Sequence, residues 1–387
     1  MFRFFILLIV LVSCYPEPIK RSKIDFNDSL TLTSKDKIRF ELDKYTGLIS
    51  EHLQYYHNNS NDSSYLVFLN TNNNSLYFYN LESLRRKVVR FPMEGPKGVG
   101  SITGFLVHNV DSIFLLASNQ YKINLITNLF RGDLKRQKFS LLTDSVGLNS
   151  AKALGFTGNS MIYGQKHLHI LGVPDVSPTS STFFQKAKNY YTLSIEDSSI
   201  TAKSIYTDNY KNGPWPNQYL MYYWTFNRAI NQFIVSPPVS DSILVMRGPN
   251  QITKQYAGSQ FVSSINPINN GLYDFKTRQE HYYFNPSYFM ILHDPYRNVY
   301  YRFVEIENTR AIEENDERMV SKVPSIIILS EDFIKIGEVA LPPYEYFPIM
   351  SFVSPKGLFI SKPVLKPSMM GIEEDLLGFD IFELTEK

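Results

Sequence analysis

The sequence has one cysteine in 387 residues, Cys14, so no internal disulfide, Cys-ligated zinc site or cysteine nucleophile can form in the body of the chain. Charge of one sign is also missing. With 39 Lys and Arg against 37 Asp and Glu, no summed field favours nucleic acid or an anionic membrane surface, and no nucleic acid partner is expected. Long apolar runs are absent: the longest, residues 4–12, falls well short of the roughly twenty residues a membrane-crossing helix needs. Sustained 3.6-residue periodicity is nearly absent, which argues against a helical core. Gly95-Pro96-Lys97-Gly98-Val99-Gly100 lacks the Gly-Lys-Ser/Thr ending of a phosphate loop, and no helix follows it. There is no nucleophile elbow, zinc motif or dinucleotide fingerprint, so neither a cofactor nor a metal is expected.

What the chain does contain is aromatic: 26 Tyr and 28 Phe, residue types that fit pleated, half-buried surfaces. At the start, Arg3 followed by the short apolar run reads as a secretory signal. Leu11-Val12-Ser13-Cys14 then resembles the lipobox of bacterial lipoprotein precursors. That resemblance implies cleavage before Cys14, lipidation of its thiol and membrane attachment through acyl chains, each buried methylene contributing about 0.8 kcal/mol. The expected organisation is a signal peptide over 1–13, a lipidated cysteine and extended tether over 14–24, and one domain over 25–387. Tyr15 is not the aspartate associated with inner-membrane retention, and the tether lacks the acidic cluster of a surface-export signal. Both point to the periplasmic face of the outer membrane.

From Asp25 onward, short apolar runs alternate with turn residues. Tyr65-Leu66-Val67-Phe68-Leu69 is continuously apolar, as a doubly covered strand requires, and an Asn-rich turn leads into Leu76-Tyr77-Phe78-Tyr79. Strands recur to the C-terminus, and Asp-Ser-Ile appears twice, at 111–113 and 241–243. Counted together they number about twenty-four, which four-stranded sheets divide into about six blades: an all-β, six-bladed propeller. Such a ring must close, and pairing N-terminal strands near 30–33 and 37–42 with the last blade would hide the sheet edges. The polar stretch 309–322 reads as a solvated insertion.

One family resemblance adds to this. Asn285-Pro286-Ser287-Tyr288, His293-Asp294-Pro295-Tyr296-Arg297-Asn298 with its following aromatic strand, Ser325-Ile326-Ile327-Ile328-Leu329 and Gly357-Leu358-Phe359-Ile360 resemble the bacterial lipoproteins that carry domain of unknown function 4221. The resemblance implies a propeller similar to the TolB-like and NHL-like ones, and no activity.

Several side chains are candidates for chemistry. His167 and His169 share a strand face and could offer two nitrogens to a metal, with no third ligand in view. Glu280-His281 and His293-Asp294 pair a carboxylate with an imidazole, but on a strand such neighbours face opposite ways. Asp294-Pro295-Tyr296-Arg297-Asn298 has the composition of a tight turn, and Tyr296 and Arg297 at its rim could contact a ligand. Pro214-Trp215-Pro216, with Tyr219, Tyr222, Tyr223 and Trp224, is the densest aromatic patch, which puts Trp215 among the rim candidates. Glu373-Glu374-Asp375 is a further acidic group. Two functions follow: a membrane-anchored binding or scaffolding propeller for an envelope protein, peptide or glycan, or a glycan-active hydrolase or lyase. Convergence of two or more of Asp274, Glu280, His281, Asp294 and Glu305 in one pocket would favour catalysis.

Overall fold

A computed structural model describes residues 28–387 apart from 48–49, 118, 120, 130–133, 143–150, 165, 175–182, 184–186, 249, 269–273, 308–321 and 363–375. Cys14, the tether and Glu373-Glu374-Asp375 lie outside the described residues.

The strands form six antiparallel sheets around one axis. Blade 1 runs Leu53–Asn58, Ser63–Asn70, Ser75–Asn80, Arg86–Arg90; blade 2 runs Gly104–Asn109, Ser112–Ala117, Lys122–Thr127, Lys135–Ser140. In blade 3 the inner position is split between Ala151–Ala153 and Ile162–Gly164, both paired with His167–Pro174, and Tyr190–Ser194 and Ile200–Lys203 follow. Blade 4 is Tyr223–Asn227, Gln232–Ser236, Ser242–Gly248, Gln251–Tyr256; blade 5 is Ser287–Asp294, Val299–Ile306, Val323–Ser330, Lys335–Ala340. Blade 6 takes Phe347–Ser354, Gly357–Ser361 and Leu376–Glu386 from the C-terminus and its outer strand, Leu30–Glu41, from the N-terminus. The two strands expected there are one, irregular between Ser34 and Asp36, and its pairing with Leu376–Glu386 closes the ring.

Burial follows position within a blade. The second and third strands are covered on both faces, as in Ser75–Asn80, where five of six residues are buried, whereas the outer Gln251–Tyr256 is exposed throughout. Asn74, Asn128, Asn231 and Asn298 adopt positive φ at turns, a region where a short polar side chain is tolerated. Asn74 also donates to the carbonyls of Phe91 and Gly100 and accepts from the Ile102 amide, which pins blade 1 to the link that follows it. The two Asp-Ser-Ile sites begin a second strand in blade 2 and a third strand in blade 4, so they mark no repeat.

The segment between the two inner pieces of blade 3 lies on the axis. Gly155 packs against Gly104 of blade 2 so closely that a Cβ on Gly104 would sit 2.6 Å from the Gly155 Cα. His52 Nδ1, from the link into blade 1, meets the Gly155 carbonyl at 2.8 Å, and the Leu53 amide, at the start of that blade, donates to Thr157 Oγ1 at 2.9 Å. Trp224 of blade 4 donates Nε1–H to the Ser160 carbonyl at 2.9 Å. The 3-10 turn Thr157–Asn159 also touches the inner strands of blades 5 and 6. A segment in contact with all the other blades near the start of their inner strands lies across the centre of the ring and plugs it there, so each mouth is a separate surface.

Candidate functional site

Strand order decides which loops share a mouth. First and third strands run one way and second and fourth the other. The turns joining strands 1–2 and 3–4 therefore gather at one end, and the links between blades gather with the 2–3 turns at the other. The link end holds a cup of about 330 Å³ with Phe156 of the plug in its lining. Glu51 comes from the link into blade 1, Tyr223 from the start of blade 4, Tyr282 and Tyr283 from the link into blade 5, and Tyr346 and Phe347 from the start of blade 6. Phe289 lies on the inner strand of blade 5, while Glu305 and Lys322 flank that blade's 2–3 turn.

Tyr282 and Tyr283 are presented by α1, Phe275–Tyr283. Asp274 caps this helix by accepting the Thr277 amide at 2.7 Å, satisfying one of the donors a helix start leaves unpaired. Glu280 and His281 therefore lie on a helix rather than the strand expected for them, and His281 Nε2 sits 3.1 Å from the Asn266 carbonyl.

One ionic cluster forms a wall of the cup. The Glu305 carboxylate accepts from Tyr282 Oη at 2.6 Å and from Ser287 Oγ at 3.0 Å. Lys322 Nζ donates to Ser287 Oγ at 2.8 Å, lies 3.5 Å from Glu305 and sits 3.4 Å from the centre of the Tyr282 ring, a cation–π contact. Its side chain is 4% exposed. Burial pulls the lysine pKa down to about 8, and Glu305 opposes that fall. Lys322, the last residue of the stretch expected to be a solvated insertion, is thus buried. Glu51 is exposed at the lip, yet packing around its carboxyl raises its pKa by desolvation. Burial likewise keeps the Tyr223 and Tyr282 phenols neutral. The cup offers aromatic faces, two carboxyls and one ammonium.

The residues expected at a rim do not line the cup. Tyr296 and Arg297 are on the 1–2 turn of blade 5, at the opposite end of the ring. The turn is built as its composition suggested: Asp294 accepts the amides of Tyr296 and Arg297, and Asn298 takes positive φ. Tyr296 is 47% exposed, whereas the Arg297 guanidinium is engaged by Asp294 at 3.0 Å and by the Ser354 and Pro355 carbonyls, tying blade 5 to blade 6. Trp215 is 4% exposed and packs with Tyr210 and Tyr219, so it is a core residue and not a rim residue. The aromatic density that drew attention to it is packing density: Tyr219, Tyr222 and Trp224 belong to the same core. Of Asp274, Glu280, His281, Asp294 and Glu305, Glu305 alone lines the cup. His293 stacks on Tyr300, and burial lowers its pKa. Among the described residues, no three His, Cys, Asp or Glu side chains gather as a metal site would require.

Glu51, Tyr283, Lys322 and Tyr346 went unnoticed in the sequence. The available signal was positional: aromatic residues concentrated in inter-blade links, as in Tyr344-Glu345-Tyr346-Phe347-Pro348, have no strand core to fill.

Residues 28–340 match the family model described as domain of unknown function DUF4221. A member of that family from Bacteroides vulgatus, of known crystal structure, is 20% identical, with a TM-score of 0.77 over 93% of this chain and 100% of that one. A candidate exported protein from Bacteroides fragilis is 12% identical, with a TM-score of 0.52 over 92% of this chain and 95% of that one. At these identities both likenesses are of fold. No curated protein matches the chain.

Proposed function

We propose that this chain, which belongs to the DUF4221 family, is a ligand-binding propeller of the bacterial envelope, held on the outer membrane through Cys14 and recognising a glycan in the cup at its link end. The observation that carries the reading is the lining of the cup: the rings of Tyr283, Tyr346 and Phe347, with Tyr282 covered by Lys322, beside the carboxyls of Glu51 and Glu305 and the Lys322 ammonium. Aromatic faces stack on the C–H faces of sugar rings, and charged groups exchange hydrogen bonds with hydroxyls. The volume lies at the small end of the range for ligand pockets, which suits one or two sugar units at a chain end. Because the plug closes the axis, a polymer would not be threaded through the ring.

A second reading, a glycan-active hydrolase or lyase, is favoured by two carboxyls in one cup, Glu51 with its raised pKa and Glu305 beside a cation. One experiment separates the two. The full-length chain in detergent is applied to an array of envelope glycans, and every glycan it retains is then incubated with it and assayed for new reducing or unsaturated ends. Retention without new ends supports binding alone, new ends support the enzyme, and no retained glycan refutes both.

A further inference from the structure

Between blades 3 and 4 lies a second cavity, of about 390 Å³, at the site of the histidine pair that the sequence singled out. His169 is fixed there: its Nδ1 is 2.8 Å from Tyr190 Oη, its ring is 4.7 Å from that of Phe233, and burial takes its pKa down to about 4. It is a neutral part of the wall. His167, with its ring 6.4 Å from that of His169, lines the same cavity. Lys203 and Arg247 approach from the two blades, and the Lys203 ammonium reaches across to Asn250 Oδ1 of blade 4 at 2.6 Å. Among the described residues, the lining contains no Asp or Glu. In a chain of nearly balanced charge, a cavity whose described lining holds a lysine, an arginine and a histidine but no acid stands out.

We propose that this inter-blade cleft is an anion site, distinct from the cup, for a ligand that carries a tetrahedral oxyanion, phosphate or sulfate, on a flat apolar group. Arg247 supplies a planar fork of donors and Lys203 a compact charge with N–H groups to spare after Asn250. The Thr192 and Thr201 hydroxyls add neutral donors. Donors from several strands around one space suit the many acceptor oxygens of a tetrahedral anion better than the two of a single carboxylate. Phe226, half-buried in the same lining, provides an apolar surface for the group that bears the anion.

The site carries its own probe. The chain has 2 tryptophans, and one of them, Trp224, stacks on Phe233 with ring centres 5.2 Å apart. Phenyl phosphate, phenyl sulfate, inorganic phosphate and phenol are titrated into the full-length protein in detergent while tryptophan fluorescence is recorded. The expected result is a saturable change with phenyl phosphate or phenyl sulfate, weakened by salt and absent with phenol. Arg247→Ala and Lys203→Ala should each weaken binding about tenfold, and Arg247→Lys should lose less than Arg247→Ala. Circular dichroism and thermal melts check that the variants fold, which the exposed position of Arg247 favours. The relative strength of the phosphate and sulfate esters identifies the anion. No saturable change at millimolar ligand, equal binding of phenol, or binding unaffected in both alanine variants would overturn the proposal.

Discussion

Lys322→Met tests the electrostatics of the cup through pH. In the folded chain the Lys322 ammonium is buried against Tyr282, and burial lowers its pKa to about 8, whereas in an unfolded chain it returns to about 10.4. Between those values the unfolded state binds more protons than the folded state, so the contribution of this group to stability rises with pH across that window. Single-site linkage between pH 7.5 and pH 9.5 makes the rise about 2 kcal/mol. The buried phenols act in the opposite sense, since their unfolded counterparts ionise near pH 10, so the comparison is kept below that value. Urea unfolding of wild type and Lys322→Met at the two pH values isolates the lysine: the wild type should gain about 2 kcal/mol relative to the variant on going from the lower pH to the higher. If the two proteins respond to pH in parallel, burial does not lower the pKa of this lysine, and the desolvated wall described for the cup is wrong.

Other substitutions probe the cup, the plug, the blade junctions and the closure. Tyr283→Ala removes a residue that is 37% exposed, so stability should change by about 0.5 kcal/mol or less while affinity for the retained glycan falls about tenfold, as read by calorimetry. Gly104→Ala drives a methyl into the Gly155 backbone at the plug and should lower stability by about 1–3 kcal/mol in urea unfolding. Arg302→Met leaves the carbonyls of Ala257, Pro237 and Ser240 without the guanidinium that now joins blade 5 to blade 4, and a loss of about 3–5 kcal/mol is expected from thermal melts. Deleting 30–41 strips the outer strand from blade 6 and bares the edge of Leu376–Glu386, and size-exclusion chromatography should show aggregates in place of monomer.

The fold was legible where strands are covered on both faces. Tyr65–Leu69 and Ser325–Leu329 belong to such strands and appear in the sequence as unbroken apolar runs. The inner strand Leu53–Asn58 went unread because it borders the plugged channel and spends Gln54 and His57 on polar contacts, and the outer Gln251–Tyr256 because it buries nothing. The turn at Asp294 could be read in full because its chemistry is local, whereas Arg297's partners, Ser354 and Pro355, are remote in sequence. The cup was invisible for the same reason. It joins Glu51, Tyr223, Tyr283, Lys322 and Tyr346, each from a different link, turn or strand start, and no spacing relates them. Trp215 misled because aromatic clustering in a sequence does not distinguish a platform from a core.

The central claim is that the cup binds a glycan. The most direct measurement is isothermal titration of the array-selected glycan into the full-length wild type, Glu51→Ala and Tyr283→Ala proteins, each shown to be folded by its melting curve. Binding to the wild type should be saturable and should fall about tenfold or more in each variant. Equal affinity in all three would place the glycan outside the cup and refute recognition there.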